Sequence, residues 1–156
     1  MPPIGPDDHV RGHGRDAIVY LDLACPACAA EWLRIRQLPI RLCLRHFPIE
    51  SKRPRAAVLH AAAEAAGMQR ESAFWEMVDS LCADQGHVDD PHLWQRARAL
   101  SLDLERFEAD RRSEAVAGRI ETDFRSGIRA GVTSTPAGFL DGELVLASLS
   151  DSLAGL

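Results

Sequence analysis

From Ala17 to Leu23 the chain runs AIVYLDL with a single polar break, and a run of that length fits a strand buried on both faces of a sheet. Pro26 falls where a helix takes its first residue. Ala29, Ala30, Trp32, Leu33 and Ile35 then recur at helical spacing until Leu38-Pro39 breaks the pattern. A helix therefore starts at or beside Cys25. Ile40, Leu42 and Leu44 alternate with Arg41, Cys43 and Arg45, a period of two that predicts a second strand ending near His46-Phe47-Pro48. Strand, helix, strand in this order makes a parallel crossover.

Residues 51 to 130 read as helix throughout. Pro54 opens one whose alanines run to Gly67. Ser72 is the expected cap of the next, which carries Phe74, Met77, Val78, Leu81 and Cys82 on one stripe, and Asp90-Pro91 opens a third. Asp103 and Ser113 are placed to cap two more, the last with Val116, Ile120 and Phe124 at four-residue steps, stopping near Gly131. Beyond it, VTSTPAGFLDGELVLA sets two short apolar runs around Asp141-Gly142, a strong hairpin signal. The order predicts an α/β domain with a small mixed sheet, an irregular arm over residues 1–15 and a large all-helical insertion over about residues 51–115.

The totals narrow what such a domain does. The chain has 156 residues, 46% hydrophobic, which suits one domain, 1–156, with one full core. Charged residues make up 26% and are mixed in sign, with a net charge of -5, so no nucleic-acid surface is expected. No apolar run approaches the roughly 20 residues that span a bilayer, so no membrane partner is expected. The first fourteen residues, rich in Pro, Gly and charge, lack the apolar stretch of a secretory leader, which reads as cytoplasmic. A processed secreted form would look the same. In a reducing cytosol four cysteines are free, catalytic or metal-bound rather than structural bridges.

Cys25-Pro26-Ala27-Cys28 follows the buried strand and opens the helix. Disulfide exchange needs a thiolate, and the unpaired N–H groups of a helix N-terminus favour negative charge on Cys25. Cys28 lies one turn on, where it can displace a substrate captured by Cys25. A zinc ribbon needs a second close ligand pair, and neither Cys43 nor Cys82 has one. No cofactor or metal enters this reading. Cys82 falls on its helix's apolar stripe and reads as core. Cys43 shares a strand face with Arg41 and Arg45, which would activate it if exposed and leaves it a packed strand residue otherwise. His46 reads as a structural loop residue, and Trp32, Trp75 and Trp94 as core.

The stretches DHVRG at 8–12, DLACPAC at 22–28, RHFP at 45–48, FWEMVDSL at 74–81 and SGIRAGVTSTPAGFLDG at 126–142 frame most of the chain. In these the chain resembles the DsbA-like thioredoxin-fold family, particularly the group found alone or appended to sodium-proton antiporters. The resemblance implies a thioredoxin fold with a helical insertion, Cys25 as nucleophile, Cys28 as resolving thiol and a cis peptide at Thr135-Pro136. It also implies a substrate site at Pro26, Ala27, Thr135 and Pro136, where the Thr135 backbone would pair with an extended substrate. Partners would be proteins or peptides with thiols or disulfides, and a redox protein that recycles the pair.

Three departures from the family stand out. Where a buried acid usually sits, six residues before the first cysteine, this chain has Val19, and Asp22 on the same strand is offset onto the opposite face. Gly138 replaces a large strand residue and reads as a bulge or a place of close approach, with the bulge preferred. The tail after Leu146 is short for a closing helix, so that face is either covered by a partner or trimmed without consequence. Two rival functions remain. A non-catalytic binding module is favoured by Val19. A glutathione-dependent small-molecule isomerase or transferase is disfavoured by the second cysteine.

Overall fold

In the computed structural model, which describes residues 3–145 and 148–155, the apolar run after Arg15 forms strand β2 (Asp16–Leu21) at the centre of a five-stranded sheet. β1 (His9–Arg11) pairs antiparallel with β3 (Arg41–His46), and β3 runs parallel to β2. β4 (Ala137–Leu140) and β5 (Glu143–Val145) follow antiparallel, giving the order β1-β3-β2-β4-β5. The parallel pair, with Val19 opposite Leu44, requires the crossover through helix α1 (Pro26–Ile35). Pro26 stands in α1's first turn, where a missing N–H breaks no helical bond.

The helical block is α2 (Ala56–Gln69), α3 (Glu71–Ala83), α4 (Asp90–Ala99), α5 (Leu104–Arg111) and α6 (Glu114–Arg129). Asp103 and Ser113 cap α5 and α6 as expected, accepting the amides of Arg106 at 2.8 Å and Val116 at 3.2 Å. At α4 the cap is Asp89, which accepts the His92 amide at 3.1 Å. Ser72 caps nothing. One extended residue, Arg70, links α2 to α3, so α3 starts at Glu71 and Ser72 lies inside its first turn.

Both faces of the sheet are covered. Val19, Leu21, Leu44, Trp32, Phe74 and Leu81 belong to the larger core with α1 to α5, whereas Ile18, Tyr20, Cys43 and Phe139 form a second one toward α6. There Phe47 stacks on Phe124 with ring centroids 4.5 Å apart. The hairpin turns on Asp141 and Gly142, with φ of 51° and 85°, the paired positive angles of a two-residue turn that matches strand twist. The end of its second run, residues 146 and 147, lies outside the described residues.

Three sequence expectations change. The arm over residues 1–15 is not wholly irregular, because β1 satisfies the outer edge of β3, with His9 opposite Leu44. Gly138 is not a bulge: it pairs in unbroken register with Val19 and Val145. A Cβ there would lie 2.2 Å from Leu149 Cδ1, so the glycine makes room for that side chain. Leu149 opens a short closing helix, α7 (Leu149–Ala154), which packs on α1 and β4, so the tail covers its own face.

Candidate functional site

Cys25 is the N-cap of α1. Its backbone is extended (φ -91°, ψ 120°), its amide donates to the Asp22 carbonyl at 3.0 Å, and its carbonyl accepts the Ala29 amide at 3.0 Å. Its side chain makes no capping bond, and the first turn of α1 carries no acidic residue. The positive end of the helix therefore meets this residue with no acid in the helix's own first turn.

Cys28 lies one turn deeper, 1% exposed against 4% for Cys25, which makes Cys25 the more accessible of the two. Its sulfur faces Cys25, the Thr135 hydroxyl and the Asp22 amide. Burial pushes the Cys28 thiol up to about 12, outweighing the Thr135 and Asp22 hydrogen bonds that favour its anion. Thus Thr135, distant in the chain, meets Cys25 and Cys28 at one point. The Thr135–Pro136 peptide is cis. Pro26 and Ala27 are exposed and Thr135 and Pro136 half-buried. Ala27 and Pro136, with Ala30, Glu31, Gly138 and Leu149, line a groove of 420 Å³ along α1, whereas Pro26, Thr135 and both cysteines lie outside its walls. A larger apolar groove of 660 Å³, lined by Ile49, Val58, Ile120 and Phe124 among others, includes none of the cysteines.

Val19 is fully buried in the same core cluster as Cys28. The two acids near the site are already engaged. Asp22 accepts the Ala24 amide at 2.9 Å and the Ile49 amide at 3.1 Å. Burial raises its carboxyl, but His60 and these amides hold it below the usual range. Glu31 accepts the Ser150 amide at 2.9 Å. A carboxylate introduced at Val19 would supply a proton acceptor on the Cys28 side. Val19→Glu is therefore expected to change the rate of disulfide turnover more than the reduction potential of the pair; equal rates for the two proteins would remove the idea.

The other two cysteines are inert by environment. Cys43 is fully buried on the sheet and Cys82 is 5% exposed on α3. Burial pushes each thiol up to about 12; at Cys43 the charge of Asp8 adds to this and Arg45 does not reverse it.

Sequence reasoning missed a buried polar group next to this site. Glu64 Oε1 accepts from His9 Nε2 and from His46 Nε2, each at 2.6 Å. His9 Nδ1 meets Glu71 at 2.8 Å, His46 Nδ1 meets His60 Nδ1 at 2.6 Å, and His60 Nε2 accepts the Leu23 amide at 2.9 Å. His46, read as a loop residue, ends β3 inside this chain of bonds. A usable signal was present: His60 and Glu64 stand four apart on α2, hence on one face. One oxygen of Glu64 and one nitrogen each of His9 and His46 lie within 4.8 Å of one another, the donor set of a metal site. Yet both nitrogens point at a single oxygen at hydrogen-bond distance, closer than the edge of about 3.3 Å in a tetrahedral zinc shell. The arrangement is that of two N–H donors sharing one carboxylate oxygen.

This cluster sets an acid sensitivity. Burial pushes His60 down to about 4 from 6.5, Asp22 opposing, so between those values the unfolded chain binds a proton that the folded protein refuses. Stability therefore falls as pH drops through that window. Glu64 and Asp8 are held low despite burial, by His46 and His9 and by Arg45 respectively, and their contributions are lost at still lower pH. His9 has the opposite sign. Burial lowers it but Glu64 and Glu71 prevail and raise it, so its contribution is full below 6.5 and fades as pH rises through the raised value. The urea midpoint is expected to be lower at about pH 4.5 than at about pH 7; an unchanged midpoint would contradict these assignments.

Comparison with known proteins agrees with the fold. A family model described as a DSBA-like thioredoxin domain matches residues 37–155, beginning after the cysteine pair. Among curated relatives, Na(+)/H(+) antiporter NhaA 1 of Salinispora arenicola is 42% identical, and NhaA 3 of Salinispora tropica 40% identical, each over 155 residues covering 91% of this chain. The chain spans 23% of the length of either relative. Among solved structures, the thiol-disulfide exchange protein alpha-DsbA2 from Wolbachia pipientis matches with a TM-score of 0.85 at 18% identity, over 96% of this chain and 85% of that one. BdbD from Bacillus subtilis matches with 0.81 at 15% identity, over 95% and 89%. Among the described residues no helix is long and apolar enough to cross a membrane. With its mixed five-stranded sheet and the family match over residues 37–155, the chain belongs to the DSBA-like thioredoxin domain family.

Proposed function

We propose that this chain is a thiol-disulfide oxidoreductase acting on the thiols and disulfides of proteins or peptides through Cys25 and Cys28. The observation that carries the reading is the pairing of an N-cap sulfur at Cys25 with a buried, high-pKa thiol at Cys28 one turn away, beside Thr135 and Pro136. In the reducing direction, the Cys25 thiolate attacks one sulfur of a substrate disulfide and expels the other as a thiolate, leaving a mixed disulfide. Cys28 then gives up its proton and attacks the Cys25 sulfur, forming the Cys25–Cys28 disulfide and releasing the second substrate thiolate. The reverse sequence oxidises a substrate dithiol. Burial of Cys28 keeps the reduced pair from carrying two adjacent anions.

Pro26, Ala27, Thr135 and Pro136 are the proposed substrate contacts, with the Thr135 backbone pairing to an extended segment and the groove of Ala27 and Pro136 taking a neighbouring side chain. A second redox protein is needed to reset the pair. A reducing cytosol drives the cycle toward reduction or isomerisation, and an oxidising compartment toward oxidation.

The binding-module reading draws on Val19 and on the engaged carboxylates of Asp22 and Glu31. Reduction of a protein disulfide by dithiothreitol in the presence of this chain separates the two. Catalysis above background that disappears in Cys25→Ser supports the oxidoreductase, whereas background rates for the unaltered chain favour the module.

A further inference from the structure

The turn that delivers Cys25 to α1 is held from outside by His60. Asp22 to Cys25 forms a turn closed by the Cys25 amide on the Asp22 carbonyl, and within it Ala24 N–H donates to the Asp22 carboxylate. The Leu23 carbonyl accepts from Gln85 Nε2 at 2.8 Å, and the Leu23 amide donates to His60 Nε2. Leu23 and His60 are both fully buried. No solvent substitutes for that bond without a rearrangement.

A backbone amide only donates, so His60 Nε2 must present its lone pair, and the ring proton stands on Nδ1. Nδ1 points at His46 Nδ1, which must then accept, so the His46 proton stands on Nε2 and donates to Glu64. Glu64 ends the sequence, and its oxygen also accepts a hydrogen bond from His9 Nε2, while Glu71 accepts one from His9 Nδ1. From the Leu23 amide through His60 and His46, the acceptor–donor row ends at the Glu64 carboxylate. Its charge fixes the tautomer of His46, and through it that of His60.

We propose that His60 is a positioning residue for the nucleophile: with its tautomer fixed by the His46–Glu64 pair, its Nε2 anchors the Leu23 amide and holds Cys25 at the N-terminus of α1. This rests on the dithiol reading of Cys25 and Cys28. Without the acceptor, the buried Leu23 amide must turn toward another partner, and the residues leading to Cys25 turn with it.

The test compares the unaltered chain with His60→Leu, which removes the acceptor, and His60→Gln, whose side-chain oxygen reaches the place of Nε2. Two quantities are measured on the reduced proteins. One is the rate at which, with Cys28→Ser added to all three so that the adduct is kept, the Cys25 sulfur attacks oxidised glutathione, giving the mixed disulfide at Cys25 and one glutathione thiolate, followed by mass. The other is hydrogen exchange of the Leu23 amide by NMR. His60→Leu should slow the attack about tenfold, as expected for one lost buried hydrogen bond, and expose the Leu23 amide, with His60→Gln restoring most of both. Equal rates in all three proteins overturn the proposal, as does a Leu23 amide still protected in His60→Leu. Should His60→Leu fail to fold, His60→Gln decides: an exposed Leu23 amide with an undiminished rate, or a protected Leu23 amide with a rate about tenfold below the unaltered chain, overturns it. If the unaltered chain does not react with glutathione, the dithiol reading fails, while the Leu23 amide still reports on His60.

Discussion

Cys28→Ser should hold its substrates covalently, while Cys25→Ser holds none. Attack by Cys25 needs only its own sulfur and a substrate disulfide, so the first step survives loss of Cys28. The second step does not, because serine offers no sulfur to displace the captured partner. Turnover should fall to background in both variants, but only Cys28→Ser should accumulate a mixed disulfide, located at Cys25 by peptide mapping and released by dithiothreitol. The buried thiols make the result clean. Cys43 and Cys82, each pushed up to about 12, should carry no adduct. Adducts distributed over Cys43 and Cys82, or none on Cys25, would sink the assignment.

The largest stability effect is expected at Asp8→Ala. Its carboxylate receives Arg45 Nε at 3.0 Å and an Arg45 terminal nitrogen at 2.9 Å, a two-point contact with the arginine side chain 3% exposed. Arg45 also donates to Tyr20 Oη at 3.1 Å, and Tyr20 meets Ser126 at 2.8 Å, so the pair ties the N-terminal arm through the sheet to α6. Removing Asp8 leaves a buried guanidinium without its anion, which costs about 3–5 kcal/mol. Urea denaturation near neutral pH should show a loss of that order, with partial recovery when Arg45→Met is added. A loss below about 1 kcal/mol would mean the pair is dispensable.

How far the sequence carried the fold depended on whether a residue's role was local. β2 and α1 were legible because AIVYLDL is a continuous apolar run and Pro26 fits one end of a helix only. The caps at Asp103 and Ser113 were legible because capping involves residues within one turn. β1 was not, since its three residues, His9 to Arg11, hold only Val10 as an apolar side chain, and the strand exists because β3 offers an edge and Glu64 and Glu71 offer partners to His9. Gly138 was misread for the same reason: the side chain it accommodates, Leu149, belongs to another element.

The candidate site divides in the same way. Cys25 and Cys28 could be read because the motif and the helix start are adjacent in sequence, and Thr135-Pro136 because of the family resemblance. The network of His9, His46, His60 and Glu64 was legible only in the four-residue spacing of His60 and Glu64, because each is a polar residue whose burial is tolerable only when the others are present. The same network reaches the amide two residues before the nucleophile, which links the polar core to the chemistry.

The account turns on Cys25 and Cys28 acting as one redox pair, and equilibration of the protein in glutathione buffers of graded redox poise, followed by alkylation and peptide mapping, tests that directly. The prediction is a single reversible disulfide joining Cys25 to Cys28 that titrates as a two-electron couple, with Cys43 and Cys82 remaining as thiols throughout. A disulfide involving Cys43 or Cys82, or a protein that stays fully reduced until it unfolds, would contradict it.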